Sequence, residues 1–157
     1  MRFHLAQVDV ARMRGRAEEA VMVGLVARLD EMNRLAEQSP GFVWRIHGPE
    51  VTPDALRVFA DYFTPFDPDQ LFYNMSVWAS VEALKNYAFQ SRHAEMLRDK
   101  TPWIDHLDRA HLALWWIPEG HVPTIPESAE RLHAVHEKGA TDFAFTFNHI
   151  FPIPARL

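Results

Sequence analysis

The 157-residue chain contains no cysteine. That excludes disulfides, thiolate zinc sites and thiol catalysis, and it suits a reducing compartment such as the cytoplasm. Long apolar runs are also missing. No segment approaches the ~20 apolar residues that a membrane helix requires, and Met1–Val10 has no stretch of signal-peptide length. A membrane partner is therefore not expected. Long basic runs are absent as well, and the net charge is −5. Arg12, Arg14 and Arg16 come nearest to a cluster and read as a solvated loop. Because phosphate backbones are held by clustered Lys and Arg, nucleic acid is not an expected partner.

Several chemical signatures are missing too. There is no Gly-x-Ser-x-Gly elbow, phosphate loop or dinucleotide fingerprint. The nine histidines include no His-Glu-x-x-His or His-x-His spacing. His133 and His136, one helical turn apart, read as a solvated helix surface, and His106 and His111 near Asp105 and Asp108 make only a weak metal set. No metal and no cofactor are expected. There is no internal repeat and no low-complexity tract.

What the chain has in quantity is aromatic surface: five tryptophans and eleven phenylalanines. Apolar residues make up 48% and charged residues 24%, ordinary for a soluble globular protein. The length suits one domain over 1–157, and aromatics this dense suit a large pocket or a subunit interface as well as a core.

Residues 3–10 read as a first strand. Met22, Leu25, Leu29, Met32 and Ala36 recur at helical spacing across 17–38, and Ser39-Pro40-Gly41 stops that helix. Strands are expected over 42–46, 71–78 and 111–117. Ser80 caps a helix over 81–98, with a kink near residues 90–93, and Thr124-Ile-Pro-Glu127 opens another that ends at Gly139. Residues 48–70 hold four of the eleven prolines and read as a long functional or mobile loop. Phe143–Phe147 reads as a short last strand. The order β-α-β-β-α-β is an α+β, ferredoxin-like split unit, here with an extra C-terminal helix and strand.

Alternation sorts each strand into two faces. Leu71, Tyr73, Met75 and Val77, with Leu112, Leu114 and Trp116, and with Phe42, Trp44 and Ile46, suit the helices. The other face then collects Gln7, Asp9, Arg45, His47, Asn74, Ser76, Trp78, His111 and Trp115. A few polar groups among aromatics are the usual lining of a small-molecule pocket. They equally suit a hydrated interface, because a sheet face left bare by its own helices is economically covered by a second copy. A homodimer is therefore expected. Acid–base chemistry here falls to histidine, whose unperturbed pKa is near neutral, and His93 or His111 is the expected base.

The segments Asn74-Met-Ser-Val-Trp78, Ser80 to Leu84, Ser91 with His93, Trp103, Leu114-Trp-Trp-Ile-Pro118, Gly120-His121, Pro123 and Phe143–Phe147 resemble the family called domain of unknown function 3291, as do Leu5-Ala-Gln7 and Ser39–Trp44. The likeness covers nearly the whole chain. It implies the dimeric α+β barrel superfamily, which includes antibiotic-biosynthesis monooxygenases, haem-degrading oxygenases, lactone isomerases and stress-response proteins. The stretch Val77–Leu84 through Ser91-Arg-His93 resembles the strand–helix of the monooxygenases, which oxidise polycyclic phenols without metal or flavin.

Three readings follow. The first is a pocket for an aromatic or cyclic metabolite with cofactor-independent monooxygenase-like or isomerase-like activity. Asn74 and Arg45 would orient an oxygen, and Trp78 and Trp115 would stack. The second is a non-catalytic ligand-binding or stress-associated dimer. The third, haem binding, ranks last: Tyr87 stands where the haem-degrading relatives have a tryptophan, and no histidine follows at the helical distance.

Overall fold

A computed structural model describes residues 2–16, 18–90, 103–105 and 109–155. The elements are β1 (Phe3–Met13), α1 (Val23–Gln38), β2 (Phe42–Arg45), β3 (Leu71–Trp78), α2 (Val81–Lys85), β4 (Ile104–Asp105), β5 (Leu112–Pro118) and α3 (Ile125–Lys138). α2 runs on as a wider, π-helical turn over Asn86–Gln90. The remainder of the helix expected over 81–98, its kink included, lies outside the described residues.

β1 is the hub of the sheet. It pairs with β3 along one side and with β5 and the two-residue β4 along the other, while β2 pairs only with β3. Every pairing is antiparallel, and the order β2-β3-β1-β5 is that of the expected ferredoxin-like unit. The last strand is reduced to two isolated antiparallel bridges, Phe145 to Leu114 and Thr146 to His149.

The caps form as the sequence dictates. The Ser80 hydroxyl accepts from the Ala83 N–H at 3.1 Å, and the Thr124 hydroxyl accepts from the Glu127 N–H at 3.2 Å. Gly41 follows α1 at a φ of +85°, and a Cβ there would lie 2.5 Å from the Ala83 methyl. Glycine thus both makes the turn and lets α2 close on it.

Register decides what lies under each layer. Leu5, Gln7 and Asp9 stand opposite Trp78, Ser76 and Asn74 on one side, and opposite Trp116, Leu114 and Leu112 on the other. This face is the one that α1 and α2 cover: Ala36, Val81 and Leu84 pack with Leu5, Trp78 and Leu114. The reverse face carries Ala6, Val8, Val10, Met75, Val77 and Trp115. It is buried under Ile125, Ala129, Leu132 and Val135 of α3 and under Leu56, Phe59, Tyr62 and Phe63 from the β2–β3 connection.

Four sequence expectations are corrected here. The polar-bearing face lies under α1 and α2, not away from them. The other face is not bare, because the proline-rich 46–70 connection folds into short 3-10 turns and covers it together with α3. β5 keeps its expected face, with Leu112, Leu114 and Trp116 toward α1 and α2, but β3 is inverted, so Trp115 points away from Asn74. β2 has an irregularity between Phe42 and Trp44, which puts Phe42 opposite Trp78 but Trp44 opposite Val77. One extra residue in a strand shifts every later side chain to the other face.

Candidate functional site

The face under α1 and α2 is incompletely filled. Two cavities open there, one of about 300 Å³ and one of about 480 Å³, and both are lined by Asp9, Asn74 and Tyr87. The smaller, inner lobe runs beneath α1 between Leu25, Leu29, Met13, Phe72 and Trp103. The larger, outer lobe opens past Gln7 and Leu84 toward His111, Phe89 and Asn148. Asp9 and Asn74 are direct cross-strand neighbours, so their side chains emerge together where the lobes meet.

His111 precedes the first residue of β5 and is not bound by the pleat. Its imidazole Nδ1 comes within 3.3 Å of Asp9 Oδ1, while its backbone carbonyl accepts from the Val10 N–H at 2.9 Å. The carboxylate thus holds one ring nitrogen at the mouth of the outer lobe, which His111 helps to line. Arg45 faces the inner lobe, with its Nε donating to Glu37 at 2.8 Å and an Nη donating to the Ile46 carbonyl at 3.1 Å.

Gln7 lines the outer lobe and donates from Nε2 to the Ser76 hydroxyl at 3.0 Å. The same oxygen accepts from Trp78 Nε1 at 2.9 Å. Ser76 and Trp78 are buried and line neither lobe. Trp78 stacks on Tyr87 at 5.0 Å between ring centroids and meets the Phe42 ring edge-on at 5.5 Å. Trp78 is therefore packed beneath the site, where the sequence had suggested a lining residue. Trp115 is across the sheet, donating to Glu127 at 2.9 Å. His47 is exposed outside both lobes, its backbone N–H 3.5 Å from a Glu50 carboxylate oxygen. The structure thus brings together Gln7, Asp9, Arg45, Asn74 and His111. His93 lies outside the described residues.

Two phenols are held protonated, Tyr87 in the cleft and Tyr73, whose ring meets Phe59 and Ser128 on the reverse face of the sheet. Burial raises the Tyr87 pKa well above its ordinary value, against the opposing pull of Arg45, and its hydroxyl donates to the Met32 carbonyl at 3.0 Å. Burial likewise raises Tyr73, and its contact with the Ser128 hydroxyl only partly offsets that. Neither can serve as a base near neutral pH.

Among the described residues, no three His, Asp or Glu side chains gather as metal ligands. A haem would need an imidazole aimed into an enclosed slot. His111 stands at an exposed mouth against Asp9, so the described residues do not fit that group.

The model of the family described as Domain of unknown function (DUF3291) matches residues 4–157. The chain belongs to this DUF3291 family. None of the curated proteins matches it. Three solved structures are similar over 77% of the chain. PA3566 from Pseudomonas aeruginosa is 14% identical over 98% of its own length, with a TM-score of 0.48. NE2512, a protein of unknown function from Nitrosomonas europaea, is 10% identical over 93% of its length, at 0.45. A protein described as a candidate antibiotic biosynthesis monooxygenase from Chloroflexus aurantiacus J-10-fl is 18% identical over 98% of its length, at 0.43. The fold of this DUF3291 chain rests on its own strand order and register.

Sequence reasoning missed two parts of this DUF3291 cleft. Arg28 lines the inner lobe, and it stands among Leu25, Leu29 and Met32 at positions i, i+3, i+4 and i+7. A charge placed on the apolar stripe of a helix is a signal that could have been read. Thr146, Phe147 and Asn148 form the far wall of the outer lobe. No local pattern marks them, since a chain held by isolated bridges has no periodicity.

Proposed function

We propose that this DUF3291 protein binds a small aromatic or cyclic molecule in the cleft beneath α1 and α2, and that His111 acts on it as a base. The observation that carries this reading is the meeting of two lobes at Asp9 and Asn74, with an Asp9-held imidazole at the mouth. Asp9 orients the His111 imidazole, which takes a proton from a phenol or activated C–H, and the Asn74 amide donates to the oxygen that gains charge. The raised tyrosines leave histidine as the group suited to that transfer. His111 carries the reading because its imidazole meets Asp9 at the mouth of the outer lobe.

The finer reading is monooxygenase-like. Dioxygen is the oxidant: a substrate methylene loses two hydrogens and gains one oxygen atom as a carbonyl, and the second oxygen atom leaves as water. The test is oxygen uptake with anthrone and naphthols as probes. His111→Gln should lower turnover by about 10²-fold or more with the fold intact, as loss of a general base does. Full activity in that variant would overturn the role.

A second reading, a non-catalytic ligand-binding or stress-associated protein, has one observation in its favour. Gln7, Ser76 and Trp78 satisfy one another and leave few polar groups for a substrate. It would stand if the probes bind but consume no oxygen. A homodimer belongs to either reading through the family resemblance, and a place in the cytoplasm through the missing cysteines. The bare-face argument for pairing is gone, because the chain covers both faces of its own sheet.

A further inference from the structure

We infer that the inner lobe takes an aromatic carboxylic acid, with its carboxylate on Arg28. This rests on the cleft reading above and names the class of molecule that fits it. The lobe holds about 300 Å³ and is walled by Met13, Leu25, Leu29 and Phe72, which suits a flat one- or two-ring body.

Its charges are unevenly satisfied. Arg45 is neutralised by Glu37 at 2.8 Å, and Asp9 is engaged by His111 at 3.3 Å. Arg28 has no carboxylate partner among the described residues. Its guanidinium lies over the Trp103 ring, 4.7 Å from the centroid. A cation against an indole at the wall of an apolar cavity is poised for an anion. The planar fork of arginine matches a carboxylate bidentately in a way that lysine does not.

The platform behind Arg28 is itself built. Trp103 Nε1 donates to the Val21 carbonyl at 3.1 Å, which fixes the indole. Its ring lies over Gly24, where an added Cβ would fall 2.9 Å from Trp103 Cζ2. Glycine inside a helix costs about 1 kcal/mol relative to alanine, and here its place is explained by the docked indole. An acid seated on Arg28 would extend its ring along the lobe that Asn74 and Asp9 also line. There the ring's reactive position would meet the His111–Asp9 pair.

The experiment is calorimetric titration with naphthoate and with naphthalenemethanol, its neutral counterpart, against the wild type, Arg28→Gln and Arg28→Lys. Naphthoate should bind roughly ten-fold or more tighter than the alcohol, the size expected of a charge-assisted pair. Arg28→Gln should abolish that preference and leave the alcohol's affinity unchanged. Arg28→Lys, which keeps the charge and guards against a misfolded Gln variant, should retain only part of it. Equal binding of acid and alcohol by the wild type, or a preference surviving in Arg28→Gln, overturns the inference but leaves the cleft reading standing. If neither probe binds, both fall.

Discussion

At the scale of single residues, the Ser76 hydroxyl carries more than its size suggests. It is buried and accepts from both Gln7 and Trp78. Ser76→Ala removes the acceptor and strands two donors in a site that water reaches poorly. Each unsatisfied group costs about 1–3 kcal/mol. Denaturant titration should therefore show a larger loss than a deleted surface hydroxyl would give. Trp78→Ala should lose more, about 3–5 kcal/mol, because a fully buried ring leaves a cavity behind. Since Trp78 lines neither lobe, probe affinity measured well below the melting temperature should change far less than stability. The opposite pattern, with affinity lost and melting unchanged, would return Trp78 to the ligand-contact role that the sequence suggested.

At the scale of elements, α3 decides which face of the sheet is sealed. Its stripe of Ile125, Ala129, Leu132 and Val135 lies on the face carrying Val8, Met75 and Trp115. Leu132→Ala should cost about 2–5 kcal/mol, and Thr124→Ala about 1 kcal/mol through the lost cap. If thermal melting showed Leu132→Ala to be the milder of the two, the packing described for α3 would be wrong. This helix was legible in the sequence down to its Thr124 cap, as were β3 and the stop after α1. The assignment of layers was not. Alternation tells which side chains share a face, but it is blind to which helices cover it. The 46–70 connection reads as loop because of its prolines, while Leu56, Phe59 and Phe63 sit at the spacing of tight turns and supply half of a layer. β5 was sorted correctly, with Leu114 toward the helices, and Trp115 is parted from Asn74 because the apolar set of β3 turns instead toward α3 and the 46–70 connection. Asp9, Asn74 and Gln7 were legible as a cluster because β1 and β3 pair without a break.

At the scale of the molecule, three buried phenols set an alkaline limit. Burial pushes Tyr62 up to about 12, with Arg109 opposing, and its hydroxyl donates to the Ala110 carbonyl. Tyr73 and Tyr87 move the same way. Above the ordinary value of 10.0, the unfolded chain releases these protons while the folded chain keeps them. The folded state then binds more protons, so stability falls as pH rises through that range and is unaffected by these groups below it. The melting temperature should drop steeply between pH 10 and about 12, and Tyr62→Phe should flatten part of the drop. A flat profile for the wild type would contradict the burial of these rings. Light scattering at micromolar concentration tests the homodimer, and a stable monomer would end that proposal. The central position of β1 bears on how the protein is made. This strand is made before both strands that flank it, so one side waits for Leu71–Trp78, the other for Leu112–Pro118, and its apolar face waits for Leu132. Until they follow, it lacks its full pairing and cover. Gln7 and Asp9 interrupt its apolar character, as gatekeepers do, so the nascent segment is less able to pair with a neighbouring copy during synthesis.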